Sequence, residues 1–323
     1  MKKIFIALVL PCLALVGCEK LSPAVRVQDT RIVGGEVSVE GDPTRASPMA
    51  GETMNIRLYV ASPVGVNDTL NWAFYTCLQS LSAGGLPKCE GDFSLENVSM
   101  GSGTPMFSVV TPTPNEPPPD LTTSNKPTVL VNGIVCINGM PSLDATTMQA
   151  SCGEGATRTF PLVMRVPIQT DAASTNHNPT FGDVIHRGET LWPENSADGV
   201  TATGCASMPD TPELPHVSRG MGEPMVVNFV MLDASNAELI STNADTGAMT
   251  LETLQINMTA TAGDSDGSPF EVLDGDAIPE RFDIRWTPPE TVSSSGELVK
   301  FWFVMRDGRN GSTITQRAIC LLP

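Results

Sequence analysis

The sequence predicts an all-β protein built from β-sandwiches, and three observations lead to this fold class. Apolar and polar residues alternate with the period of strands, most cleanly over 254–260 and also over 54–60. No long segment has the 3.6-residue period of a helix. The 323 residues include 27 prolines and 28 glycines, many in turn-forming pairs that divide the chain into short elements. Alternating strands need one buried face, which two packed sheets provide.

The N-terminal residues have the layout of a signal peptide. Two lysines precede an apolar run of about a dozen residues, whereas a helix that spans a membrane needs about 20. Leu15-Val16-Gly17-Cys18 then resembles the lipobox of bacterial lipoproteins. This resemblance implies cleavage before Cys18, diacylation of its thiol and acylation of its new amine, and several acyl chains together make a stable anchor. The alternative is an ordinary secretory signal with a chance cysteine.

The charge of the chain limits its partners. The net charge is −17, and loss of Lys2 and Lys3 with the signal peptide makes it −19. Such a surface repels phosphate backbones and anionic membranes, so nucleic acid is not an expected partner and the anchor should be the lipid. Glu19 follows Cys18 where an aspartate would signal inner-membrane retention in enterobacteria. By that resemblance the outer membrane is favoured, with either a periplasmic or a surface-facing orientation.

The cysteines fit an oxidising compartment. Cys12 lies inside the signal peptide, and six cysteines remain besides Cys18. Fifteen pairings are formally possible. Proximity in sequence favours Cys77 with Cys89 and Cys136 with Cys152, which leaves Cys205 to pair with Cys320. A zinc site is the alternative, but no pair has the two-residue gap of a zinc knuckle, and no histidine lies at a ligand-like spacing from them.

The C-terminal third gives the clearest strands. Phe282, Ile284 and Trp286 share one face of a strand. The run 299–305 is apolar on one face and largely so on the other, which predicts the most central strand of a sheet. Residues 307–311 (DGRNG) supply glycines for a hairpin turn, and a return strand follows.

These segments carry a family resemblance. Residues 286–289 and 298–311 resemble the end of immunoglobulin-like (Ig-like) and PKD-like domains of bacterial surface proteins. Further segments, namely 29–32, 48–52, 70–77 and 176–180, resemble lipoproteins of myxobacteria and related deltaproteobacteria. The resemblance implies a fold and a location but no activity. It predicts a signal peptide at 1–17, a lipidated tether at 18–48, and two Ig-like β-sandwich domains at 49–169 and 170–323.

Two groups of residues resemble functional sites, one of a protease and one of a calcium-binding protein. Residues 31–35 (RIVGG) and 263–269 (GDSDGSP) resemble the activation site and nucleophile loop of trypsin-like proteases. The serine of such an enzyme needs a histidine base, but no histidine precedes His177, so we expect a strand edge and a turn. Five carboxylates lie close together in sequence and are weak candidates for calcium ligands, namely Asp264, Asp266, Glu271, Asp274 and Asp276. Their spacing is not that of an EF-hand.

The expected function is that of a membrane-anchored, non-catalytic lipoprotein whose Ig-like units scaffold or bind another envelope or surface protein. The alternatives are a calcium- or ligand-binding adhesion module and a hydrolase of unrecognised type. No cofactor is expected beyond the lipid on Cys18. Trp72, Trp286 and Trp302 lie in strand-like segments and should be core residues, whereas Trp192 is the candidate for an exposed aromatic ring.

Overall fold

The computed structural model confirms the all-β fold class. It describes residues 26–66, 68–79, 89, 98–114, 127–144, 147, 149–170, 175–186, 190–220, 224–230, 239–243, 248–265, 269–271 and 281–323. Within these ranges the regular structure is β-strand, apart from a single 3-10 turn at Cys205–Ser207. The predicted signal peptide and Cys18 lie outside the described residues, and so do three of the calcium candidates, Asp266, Asp274 and Asp276.

The first sandwich consists of two antiparallel sheets and a hairpin. Its strands are β1 Arg31–Val39, β2 Thr53–Ala61, β3 Leu70–Leu78, β4 Val98–Ser102, β5 Met106–Val110, β6 Thr128–Ile137, β7 Pro141–Asp144, β8 Gln149–Cys152 and β9 Arg158–Pro167. One sheet has the order β1-β2-β5 and the other the order β4-β3-β6-β9, while β7 and β8 pair with each other.

The alternation of apolar residues builds the core of this sandwich. Met54, Ile56 and Leu58 point from β2 into the space between the sheets and are at most 1% exposed. Phe74 of β3 stacks on Phe107 of β5, with 5.1 Å between ring centroids. Because successive strand residues face opposite sides, the polar residues between them fall outside this core.

The second sandwich has two five-stranded sheets. Its strands are β10 Val184–His186, β11 Thr190–Leu191, β12 His216–Ser218, β13 Met225–Val230, β14 Leu239–Asn243, β15 Ala248–Leu251, β16 Gln255–Ala260, β17 Asp264–Ser265, β18 Phe270–Glu271, β19 Arg281–Thr287, β20 Glu297–Arg306 and β21 Ser312–Leu322. The sheet orders are β11-β10-β13-β19-β17 and β12-β21-β20-β16-β18, and β14 pairs with β15. β12 runs parallel to β21, and the other pairs are antiparallel.

Aromatic rings fill the second core. Phe301 and Phe303 project from β20, which occupies the middle of its sheet as its apolar sequence predicts. Trp286 of β19 meets Phe301 edge to face at 5.1 Å, and Phe229 of β13 meets Phe303 at 5.0 Å. Edge-to-face contacts of this kind add to the free energy gained by burying the rings.

The three proposed disulfides are present. Cys77 pairs with Cys89, Cys136 with Cys152, and Cys205 with Cys320, with Cα atoms 5.5 to 5.7 Å apart. In the first sandwich, Cys77 and Cys136 lie on the sides of β3 and β6 that face away from the core. The third disulfide joins the 3-10 turn to β21 across a sequence separation of 115.

The structure differs from the predicted organisation at the N-terminal boundary. Residues 31–39 were expected within the tether, but they form β1 and pair along their length with β2. Apolar side chains of this segment explain the difference, because Val37 and Val39 are 1% and 2% exposed. Val37 belongs to the first core. The division into two domains at residue 170 stays a prediction.

Candidate binding cleft between the two sandwiches

The two sandwiches meet along a junction with its own small apolar cluster. Val27, Ala61 and Trp302 are buried together, with Val33 and Ile314 packed against them. Trp302 is 4% exposed although it lies on the side of β20 opposite the second core. The junction therefore explains why β20 is apolar on both faces.

Gly34 lets three side chains approach the backbone of β1 closely at this junction. A Cβ atom there would lie 3.1 Å from Tyr59, 3.2 Å from Val304 Cγ1 and 3.3 Å from the Arg306 guanidinium. The pairing of β1 with β2 is also irregular between Ile32 and Gly34. Such an irregularity bends a strand locally and re-aims its side chains.

Two asparagines cross-link the sandwiches. Asn178 Nδ2 donates a hydrogen bond to the Val37 carbonyl at 2.7 Å, and Asn178 Oδ1 accepts one from the Ser312 amide at 2.9 Å. Asn176 Nδ2 donates to the Arg309 carbonyl at 3.2 Å, and the Asn176 backbone carbonyl accepts from the Ala46 amide at 2.8 Å. Both side chains are at least nine-tenths buried, so these bonds replace hydration along the junction.

A cleft of about 450 Å³ opens beside this junction. Its first wall is formed by β1 at 32–35 and by Leu58, its second by β9 at 162–164, and its third by Arg306 and the turn at 308–312. Arg306 Nη2 donates to the Val33 carbonyl at 3.0 Å, which holds the guanidinium at the rim. Both sandwiches therefore contribute to a single concave surface, in which apolar side chains of β1 and β9 face a polar turn and one cation.

The β9 wall of the cleft is a sheet edge. β9 pairs with β6 on one side and ends the strand order of its sheet on the other. Pro161 and Pro167 fit this position, since a proline has no amide proton for a ladder and is tolerated on an edge. Val163, between them, is 54% exposed. The two prolines interrupt the row of backbone amide donors along this edge. At the β9 wall, a ligand would therefore mainly contact apolar side chains.

A buried carboxylate shapes the turn that forms the third wall. Asp307 Oδ1 accepts hydrogen bonds from the amides of Arg309 and Gly311 at 2.7 and 2.8 Å. Burial raises the pKa of Asp307, and those amides oppose this shift only in part. A Cβ at Gly311 would collide with the Asp307 carboxylate, whereas Gly308 has a φ of 74°. Both glycines of the predicted hairpin turn are therefore needed, for different reasons.

A second, more polar cleft of about 460 Å³ lies along the same junction. Loop residues 62–66 of the first sandwich and 197–201 of the second line it, together with Lys300 and Trp302. Lys300 Nζ lies 3.6 Å from Asp198 Oδ1. Because this cation already has a carboxylate beside it, the first cleft, with Arg306, is the stronger candidate for a ligand.

The described parts of the two protease-like segments lie in different sheets. Residues 31–35 belong to β1, as expected of a strand edge, and Asp264 and Ser265 form β17 at the edge of another sheet. Ser268 lies outside the described residues. His186 is 4% exposed and packs edge-on against Trp192.

The described calcium candidates are also separated. Asp264 pairs with Thr287 in one sheet of the second sandwich, and Glu271 pairs with Gln255 in the other. Within the described ranges, no three histidine, cysteine or acidic side chains come together as a metal site requires.

Trp192 corrects an expectation from the sequence. It is 0% exposed, and its indole Nε1 donates to the Ala318 carbonyl at 3.1 Å. Its ring meets Phe301 at 5.4 Å, so the turn-rich stretch around it folds onto the second core. Trp72, Trp286 and Trp302 are buried as predicted.

The sequence drew attention to two segments that line the cleft, but it did not predict that they lie together. The segment 31–35 and the turn 307–311 were noted for separate reasons, and the structure brings them to the same surface. Arg306 and β9 were not recognised as site residues. The prolines of β9 were the available signal, because they mark an edge strand.

Comparisons with known proteins leave the family open. No protein-family model matches the sequence, and no curated protein matches it. The crystal structure of dimeric latent PorU from Porphyromonas gingivalis is similar at a TM-score of 0.22 and 9% identity, over 89% of this chain and 24% of the PorU chain. This chain therefore spans about a quarter of that protein, and so low a TM-score carries no argument. The described residues include no helix that is long and apolar enough to cross a bilayer.

Proposed function

We propose that the protein is a lipid-anchored, non-catalytic lipoprotein of the cell envelope that binds another envelope or surface protein through the junction cleft. The observation that carries the binding role is the cleft itself, whose three walls come from both sandwiches. A surface of this kind depends on the two sandwiches keeping a fixed arrangement. The asparagine hydrogen bonds and the Trp302 cluster supply that arrangement.

The chemistry of the cleft supports a protein ligand. Apolar side chains of β1 and β9 provide area for hydrophobic contact, and Arg306 provides a guanidinium that pairs with carboxylates or carbonyl oxygens. Arginine is one of the residue types enriched among interface hot spots, which makes Arg306 the main candidate for such a role in the cleft. The rest of the protein is acidic, so a cationic rim also helps to orient an approaching acidic group.

The anchor is proposed from residues 15–18 and from the short apolar run before them. Replacement of Cys18 by serine removes the acylated thiol. We expect the Cys18→Ser variant to lose acyl labelling and to leave the membrane fraction. Retention of this variant in the membrane fraction would overturn the anchor.

The binding role is tested by photo-crosslinking on intact cells. A photoreactive amino acid replaces Val163 in the cleft or, as the control, Met100 on β4, since both side chains are 54% exposed. We expect one protein to be captured reproducibly from position 163 and not from position 100. Capture of no protein, or of the same proteins from both positions, contradicts the proposal.

A further inference from the structure

β5 forms a free edge of the first sandwich. It ends the strand order β1-β2-β5, and no described strand pairs with its other side. The backbones of Pro105 and Thr111 bond to β2 and to the residue before it, at 2.9 and 2.8 Å. Because successive residues of an antiparallel strand direct their backbone groups alternately to its two sides, residues 106, 108 and 110 turn their amides and carbonyls away from β2.

The side chains of these three residues are exposed as well. Met106 and Val110 are 65% and 63% exposed. Ser108 lies exposed between them, and its hydroxyl donates to Asn55 Oδ1 at 2.6 Å. Phe107, on the other face of β5, belongs to the first core. The free edge therefore combines outward backbone groups with two large apolar side chains.

This edge lacks the features that usually prevent a further strand from adding to a sheet. Charged side chains and prolines are such features, and β9 has Pro161, Arg165 and Pro167 along its own edge. Residues 98–114 contain no Asp, Glu, Lys or Arg, although 17% of the whole chain is charged. The net charge of −17 opposes contact between two copies of the chain, and the uncharged edge reduces this repulsion locally.

We propose that two copies of the chain form a dimer by antiparallel pairing of their β5 strands, with a two-fold axis at Ser108. This axis places Met106 of one copy opposite Val110 of the second copy, and the reverse. The two Ser108 side chains lie opposite each other between these apolar pairs. Cross-strand pairs of these kinds stabilise a sheet, so the edge is complementary to itself.

The backbone groups fit the same axis. The outward amides and carbonyls of residues 106, 108 and 110 meet those of the second copy as hydrogen-bonded pairs. The two sheets of order β1-β2-β5 then join into one continuous sheet of six strands. Pairing of this kind is strand addition at an exposed edge.

The charge nearest to this pairing on β2 does not oppose it. Arg57 lies opposite Met106 and is exposed on the same face. In the dimer, three strand spacings, or about 14 Å, separate β2 of one copy from β2 of the other. This distance exceeds the Debye length of about 8 Å at physiological ionic strength, so repulsion between the two Arg57 side chains is screened.

Sedimentation velocity of the full-length chain in a density-matched detergent tests the dimer. We expect the wild type to be dimeric in the micromolar range. Ser108→Lys places two ammonium groups opposite each other and should weaken the dimer at least about tenfold. Ser142→Lys is the matched control, because Ser142 is also an exposed strand serine with a bonded hydroxyl, at 2.8 Å from that of Ser151. This control gains the same charge and should dimerise like the wild type.

Cysteine cross-linking tests the position of the two-fold axis. Residues that face each other in a hydrogen-bonded pair have Cα atoms about 5.5 Å apart, within the range of a disulfide. Ser108→Cys should therefore form a disulfide-linked dimer on mild oxidation. Val163→Cys, which is exposed on the β9 edge, should not, and the wild type controls for cross-links through Cys18.

Three results would overturn the proposal. The first is a wild type that stays monomeric across the micromolar range. The second is a folded Ser108→Lys variant that dimerises as well as Ser142→Lys, because the dimer then uses another surface. The third is a Ser108→Cys variant that cross-links no better than Val163→Cys. Circular dichroism checks the fold of Ser108→Lys, and the cross-link decides alone if that variant unfolds.

Discussion

The two sandwiches are both built mainly from antiparallel sheets, but they differ in the side chains of their cores and in the span of their disulfides. The first has a core made largely of aliphatic side chains and two disulfides that close short loops, with sequence separations of 12 and 16. The second has a network of edge-to-face aromatic rings and one disulfide that closes a separation of 115. Its strands between 184 and 218 are short, at two or three residues each.

This difference shows what a turn-rich segment needs in order to be ordered. Short strands make few ladder hydrogen bonds, so the segment 190–220 relies on other attachments to the body. Trp192 provides one attachment at its start, and Cys205 provides another near its middle. The short-range disulfides of the first sandwich hold only local segments. We therefore expect disulfide and aromatic contacts to contribute more to the free energy of unfolding in the second sandwich than in the first.

Removal of the long-range disulfide should have the largest effect. In the chain-entropy description, the closed loop of Cys205 and Cys320 contributes roughly 5 kcal/mol, and that of Cys77 and Cys89 roughly 3 kcal/mol. We expect the double variant Cys205→Ala/Cys320→Ala to lose more stability in urea unfolding than Cys77→Ala/Cys89→Ala. Equal losses, or a larger loss for the local pair, would break the proposed contrast between the sandwiches.

Trp192 provides the second test. Because its ring is buried and its indole nitrogen is hydrogen-bonded, Trp192→Ala should lower the free energy of unfolding by about 3 to 5 kcal/mol. The neighbouring Leu191 is 51% exposed, so Leu191→Ala serves as the matched control with a loss well below that. Urea unfolding monitored by circular dichroism measures both. A Trp192 variant as stable as the control would mean that this segment does not rely on the ring.

Trp192 also shows where sequence reasoning succeeds and where it stops. Strand period predicts β2, β16 and β20 because alternation is a local property of the sequence. The partners of a turn-rich segment are set by distant residues such as Ala318, which no local pattern reveals. The same limit applies to the cleft, since 31–35 and 307–311 are far apart in sequence. Proximity in sequence favoured two of the cysteine pairs among fifteen possible pairings, and Cys205 with Cys320 followed only as the pair left over.

The junction provides a third test, of how strongly the two sandwiches are coupled. Asn178→Ala leaves the Val37 carbonyl and the Ser312 amide without this partner, which should cost about 1 to 3 kcal/mol. Asn195→Ala is the matched control, because Asn195 also makes two side-chain hydrogen bonds but within one sandwich. We expect calorimetry to resolve two transitions for the Asn178 variant and a single transition for the control. An unchanged single transition in the Asn178 variant would show that the apolar cluster alone couples the sandwiches.

The smallest predicted effects are opposite pH dependences in the two sandwiches. Burial raises the pKa of Asp307 above its usual 3.8, so the folded state binds this proton more tightly, and the associated stability is lost as pH rises through the raised pKa. Burial of Glu52 acts in the same direction. However, hydrogen bonds from Arg45 and the Met49 amide outweigh it and hold the pKa of Glu52 below 4.5. The stability from Glu52 is therefore present above pH 4.5 and is lost as pH falls.

The variants Asp307→Asn and Glu52→Gln separate these two contributions. An asparagine at 307 still accepts hydrogen bonds from the Arg309 and Gly311 amides through its oxygen, so the turn keeps its main support. Between about pH 3 and pH 6, the stability of Asp307→Asn relative to wild type should rise with pH, and that of Glu52→Gln should fall. Urea unfolding at each pH measures both slopes. Slopes of the same sign would mean that burial does not dominate at Asp307, because its two amide donors would then hold the carboxylate ionised as the Arg45 guanidinium does for Glu52.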